Sequence, residues 1–283
     1  MKRNLLLSLI LIFILGFLLL FYYYFYSIAG KVSYLTIIDD DTRIETYTYW
    51  GKLSKETGVN ITIAAVPNWI NGNGPDGKKT MSLDQLKEMY NNGNDVVSHG
   101  FDTLTIQNNI SNDEITKKQL FESRQWLIDN GFTRRNGYDY FVWPQGLSGS
   151  EDVKEKVKLE ASKYYSFAVN AFTDERYLKK GLFDAYDIPR ATSDGQRSLR
   201  LIHWMRQAIN DGGWMVVLSH SWHAKDYDDD NYDKWASRYR YLIWYAKINN
   251  VQIVTLPEGM KLWCMENALN EQCKWLNAQN VNL

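Results

Sequence analysis

From Asn4 to Gly30 the chain carries no charged side chain, and Lys2 and Arg3 stand immediately before that run. About 20 apolar residues are enough to cross a bilayer. The pattern therefore predicts an N-terminal transmembrane helix within residues 1–30, its basic end cytoplasmic and Tyr22, Tyr23, Tyr24 and Tyr26 at the far interface. Ser27 and Ala29 also have the small-residue spacing of a signal-peptidase site. A cleaved signal peptide is thus a second reading, but the apolar region is long for one, which favours an uncleaved anchor.

Past Gly30 the period changes. Short β-branched runs, "VSYLTII", "VNITIAAV", "DVVSH", "YDYFVWP", "YYSFAV", "WMVVLSH" and "VQIVTL", alternate with longer segments of helical period such as "LDQLKEMYNNG" and "YDKWASRYRYLIWYAKINN". Each helical segment closes on glycine, asparagine or a polar cluster. Such alternation predicts an α/β fold with a mainly parallel sheet under helices, as a closed or partly closed, distorted β/α barrel. Residues 31–283 form one outward-facing domain in this reading.

Composition narrows the function. Hydrophobic residues at 45% and aromatics at 14% supply a large core. Without Lys2 and Arg3 the remaining 30 basic and 33 acidic side chains leave a net of −3, and no basic run interrupts that balance, which excludes a nucleic-acid binder. Cys264 and Cys273 lie close in sequence. Outside the cytoplasm they form a disulfide or stay as two buried thiols.

In β/α barrels reactive groups gather where strands end. The predicted strand ends carry Asp39, Asp40 and Asp41, then Ser98 and His99, then Pro144 and Gln145, then His220. One aspartate would cap a helix. Three adjacent carboxylates repel one another, which points to a cation or a raised pKa in the design. His203 falls mid-helix in "LRLIHWMRQAI" and serves as an internal control.

Together "LTIIDDD", "VVSHGFDT", "FVWPQG", "DIPRAT" and "VVLSHSW" resemble, in order and approximate spacing, the motifs of the polysaccharide deacetylases, carbohydrate esterases acting on chitin, peptidoglycan and poly-N-acetylglucosamine. The resemblance runs from about Val32 to Pro257. It implies a metal-dependent hydrolase that removes acetyl groups from N-acetylated, or less readily O-acetylated, cell-surface glycan. It also implies a divalent metal, zinc first, with Asp40 and His99 as ligands and Asp39 as general base. The backbone N–H of Gln145 would make an oxyanion hole, His220 would be the general acid, and Arg190 would orient the base.

The chain departs from that pattern at Asp41, where the first motif ends in glycine, and at Val142, where the commonest third motif begins with arginine. Thr103 stands where a second metal histidine is expected. Asp102 is the first candidate to replace it and His223 the second. Trp143 and Trp222, beside Pro144 and His220, are candidate platforms for sugar rings. A degenerate relative that binds glycan without turnover is the alternative. Oligomeric state is left open.

Overall fold

A computed structural model of the chain describes residues 13–17, 32–171, 173–223, 232–267 and 273. The transmembrane helix expected within residues 1–30 lies outside the described residues, apart from a helical turn at 13–17. Among the described residues no helix is long and apolar enough to cross a membrane.

Eight parallel strands form the centre: β1 (Tyr34–Asp40), β2 (Thr62–Ala65), β3 (Asp95–Ser98), β4 (Tyr140–Val142), β5 (Phe167–Asn170), β6 (Ile188–Thr192), β7 (Trp214–Ser219) and β8 (Gln252–Ile253). β1 to β7 pair in chain order, and β1 pairs with both β7 and β2, so seven strands close a barrel. β8 distorts it. At the start of β1, Tyr34 and Leu35 pair with Gln252 and Ile253 of β8, whereas at its end Ile38 to Asp40 pair with Thr62 to Ala64 of β2.

Helices α1 (Gly51–Thr57), α2 (Leu83–Asn91), α3 (Ser123–Asp129), α4 (Glu151–Ala161), α5 (Ser198–Asp211), α6 (Tyr232–Ile248) and α7 (Leu256–Glu266) lie among the strands in the predicted alternation. Local chemistry sets their ends. Ser82 and Gln85 form a reciprocal capping box at the start of α2, and Gly212 closes α5 at φ 63°. The alternation fails once, between β5 and β6, where the described residues of 171–187 form no helix. There Leu178 instead bridges to Trp214. β6 itself, "IPRAT", had no hydrophobic alternation to mark it, because a proline and an arginine occupy its middle.

Strand side chains alternate between two faces. Tyr34 and Ile38 of β1 pack with Ala64, Val97, Val142 and Val216 in the inner cluster. Leu35 and Ile37 join Ile63, Trp50, Trp235 and Tyr239 in the layer under the helices. α7 adds Met260 and Trp263 to the inner cluster, where Cys264 forms a disulfide with Cys273, the Cα atoms 4.8 Å apart. Residues of even number on β1 thus face the barrel interior and those of odd number face the helices.

Candidate active site

The C-terminal ends of the strands surround a cavity of about 750 Å³, lined by Asp40, Asp41, His99, Thr103, Gln145, Arg190, Asp194, His220 and Trp222, among others. Asp39 is not among its lining residues. The parity of β1 explains why: Asp39 points outward with Leu35 and Ile37, and Asp40 inward with Ile38. Asp39, expected as the general base, therefore lies on the helix side of the strand, away from the cavity.

Asp40 is 1% exposed, and both its oxygens accept from Arg190 Nη1, at 2.9 and 3.0 Å. Burial pushes its carboxyl up, but the charges of Arg190, His99 and His220 outweigh burial and hold it below the usual carboxylate range. Arg190 is itself 1% exposed. It comes from β6, so an ion pair from a strand centre reaches the cavity wall. Arg190 was expected to steady Asp39; it holds Asp40.

Asp41 turns out of β1 with φ 80°. One oxygen lies 3.6 Å from His99 Nε2 and the other 3.8 Å from His220 Nε2. Trp222 Nε1 donates to Asp41 at 3.1 Å. Thr103 and Gln145 on the same wall also have left-handed φ, 64° and 56°. For residues other than glycine this conformation is uncommon, and such residues cluster at functional sites.

His99 directly follows β3. Its Nδ1 is 2.9 Å from the Val142 carbonyl, which can only accept, so Nδ1 carries the proton and Nε2 faces the carboxylates. Asp40 lies 3.8 Å from Nε2. His220 directly follows β7, and its ring Nδ1 and backbone N–H contact Asp194 at 2.5 and 3.2 Å. Burial opposes its charge, but Asp194, Asp41 and Asp40 push the imidazole up to about 9.

Several expectations about neighbours change. Asp102 is not in the cavity lining: its carboxylate takes Lys118 Nζ at 3.0 Å and the Gln119 amide. Thr103, whose φ is positive, lines the cavity and Asp102 does not. His223 lines it too, beside Trp222 and His220. Trp143 reaches the wall but is 1% exposed, stacked edge-on with Phe141 and bonded through Nε1 to the Tyr186 carbonyl at 2.8 Å. It is a core residue and offers no open face to a sugar. Trp222 is half-buried, its ring met by Arg43, Lys78 and His223. Gln145 is exposed on the wall.

Sequence reasoning missed Asp194 and Arg43. Asp194 sits two residues beyond β6, the strand without a pattern, so its strand-end position had no signal. Arg43 is 2% exposed against Trp69 and Trp222, with Nη1 on Asp76 at 2.6 Å. His203 is exposed on α5, outside the cavity, as expected of a control.

Residues 28–164 match the family described as polysaccharide deacetylase. That match spans a little under half of the 283 residues. Among solved structures, 80% of this chain superposes on 94% of a family 4 carbohydrate esterase from Streptomyces lividans, with 11% identity and a TM-score of 0.51. A chitin deacetylase from the fungal pathogen Colletotrichum lindemuthianum matches 79% of this chain over 85% of its own, with 16% identity and a TM-score of 0.51. The Xyl-CE4 domain of a multidomain xylanase from the hindgut metagenome of Trinervitermes trinervoides matches 81% over 89%, with 12% identity and a TM-score of 0.50. At these identities the likeness is one of fold. No curated protein matches the chain. In this barrel the strand-end histidines and carboxylates share one cavity.

Proposed function

We propose that the protein hydrolyses acetyl groups from N-acetylated glycan, with Asp40 as general base and His220 as general acid. The observation that carries this is the pairing within the cavity: a buried arginine on Asp40 and a carboxylate, Asp194, on His220. The two partners drive their residues in opposite directions. Arg190 keeps Asp40 ionised, so it can take a proton from an attacking water; Asp194 keeps His220 protonated, so it can give one to the departing amine. Relative to the motif-based assignment, the base moves from Asp39 to Asp40 and the ligand from Asp40 to Asp41. The residue in the glycine place becomes Thr42, whose φ is 48°.

The donors can be tested against a divalent metal. His99 presents Nε2 to Asp41 at 3.6 Å, too long for a hydrogen bond and close to the separation of two ligands on one ion with bonds of about 2.1 Å. The proton on Nδ1, held by a backbone carbonyl, is the usual second contact of a metal-binding histidine. Asp41 and His99 therefore fit such an ion as its protein ligands. When bound, it would polarise the acetyl carbonyl and lower the pKa of water. Gln145, at the mouth, would offer its backbone N–H to the developing oxyanion.

Among the described residues no group of three or more histidine, cysteine, aspartate or glutamate side chains is set to hold a metal ion. Thr103 stands on the cavity wall where the resemblance implies a histidine, which favours a second reading, a deacetylase-like domain that binds glycan without turnover. Release of acetate from N-acetylated oligosaccharides by the purified chain, with added zinc and after chelation, separates the two. Metal-dependent acetate release supports the hydrolase; glycan binding without acetate release supports the second reading. The placement of the domain outside a membrane rests on the uncharged run alone. Recovery of the full chain in the membrane fraction, with the domain open to external protease, checks it.

A further inference from the structure

Asp39 is completely buried, yet it belongs to neither the cavity nor an ion pair among the described residues. Its oxygens instead collect four hydrogen bonds. Oδ1 accepts from the Ser219 hydroxyl at 2.6 Å and the Ser221 N–H at 3.0 Å; Oδ2 accepts from the Thr46 hydroxyl at 2.6 Å and the Ser221 hydroxyl at 2.7 Å.

Ser219 and Ser221 flank His220. Along "SHSW" the chain alternates, with Ser219 and Ser221 turned to Asp39, and His220 and Trp222 turned to Asp40 and Asp41. Asp39 and Asp40 meet the same stretch from opposite sides of β1. The outer side is tied further into the helix layer, because Ser219 Oγ also accepts from Trp50 Nε1 at 3.3 Å and from Tyr239 Oη at 2.9 Å. A buried carboxylate without a counter-ion is costly unless its lone pairs are filled. Here all of the compensation comes from donors, and three of the four lie on residues that flank His220.

We infer that Asp39 is a positioning residue, which fixes the backbone on both sides of His220 and so sets the imidazole's place beside Asp40 and Asp41. Asp194 orients the ring from the front, and Asp39 holds the segment from behind. A misplacement of about 1 Å can cost on the order of 10²-fold in rate, so a clamp on the acid's own backbone acts on turnover more than on binding. The inference rests on the proposed role of His220.

The test uses the full-length chain and its Ser221→Ala, Asp39→Asn and Asp40→Asn variants. It reads kcat and KM on an N-acetylated oligosaccharide, and the His220 imidazole signals by NMR. Ser221→Ala, which removes one hydroxyl, is expected to lower kcat by about 10-fold with KM within about 2-fold, and to move the His220 signals. Asp39→Asn keeps an oxygen for Ser219 and for the Ser221 N–H, so it is expected to retain far more turnover than Asp40→Asn. Asp39→Asn as inactive as Asp40→Asn in a folded protein would return Asp39 to the chemistry and overturn the inference. So would Ser221→Ala with wild-type kcat and unmoved His220 signals. If wild type shows no turnover, the proposed function fails, and the His220 signals alone decide the role of Asp39.

Discussion

Arg190 meets Asp40 through a single nitrogen, Nη1, that lies 2.9 and 3.0 Å from the two carboxylate oxygens, with both residues almost wholly out of solvent. Removing one partner of such a pair strands the other charge in the interior, at a cost of about 3–5 kcal/mol. Arg190→Met should lower stability by that amount in chemical denaturation and reduce acetate release at least about 10²-fold. Retention of activity by Arg190→Met would remove the pair from the mechanism.

The His220–Asp194 contact makes a pH prediction. The folded-state imidazole, pushed up to about 9, lies above its ordinary value of 6.5. A raised value means that the contact stabilises the protein fully below pH 6.5 and that this contribution is lost as pH rises through 9. Activity that needs the protonated acid should decline over the same upper limb. Asp194→Asn removes the main upward influence, so the limb should move to lower pH. A pH–rate profile identical to wild type in that variant would contradict the assignment.

The metal set gives a third prediction. Asp102→Ala should leave zinc affinity within about 2-fold of wild type, since the carboxylate is engaged by Lys118 and Gln119. His99→Ala should weaken it, and Thr103→His, which adds an imidazole at the wall, should strengthen it by about 10–100-fold. Isothermal titration calorimetry on the three variants checks this. Weakening by Asp102→Ala would show that the loop rearranges around the ion.

Trp143 provides the fourth. As a core residue its truncation to alanine should cost about 3–5 kcal/mol, visible as a lowered denaturation midpoint. A sugar platform would instead raise KM and leave the midpoint in place.

Much of this arrangement could be read from the sequence, and each difference has its own physical cause. The strand-end positions of His99 and His220 followed from hydrophobic runs with clear ends, "DVVSH" and "WMVVLSH", and both histidines line the cavity. The barrel followed from the alternation. In "IIDDD" the apolar run does not say where the strand stops, and a one-residue uncertainty exchanges the inner and outer faces. The pleat therefore decided between Asp39 and Asp40, as no motif could. Asp194 was obscured differently. It follows β6, where proline and the buried Arg190 replace the alternation, so the end of that strand was not marked. Asp102 is drawn to Lys118 and Gln119, partners 16 and 17 residues further on that the local motif does not reveal.

β8 occupies the lower edge of β1 while β2 occupies the upper edge, and this split has a mechanical consequence. Val32 leads into β1 at the pole where β8 is wedged, and the Ser33 carbonyl accepts a hydrogen bond from the Gln252 N–H there. The cavity opens at the other pole, the seven residues of β1 away, or about 23 Å at the usual rise of a strand. The start of β1 is thus held from both sides, Tyr34 and Leu35 pairing with Gln252 and Ile253 of β8 and with Trp214 and Met215 of β7. The end of β1, which places Asp40 beside its partners, is held instead between β2 and β7.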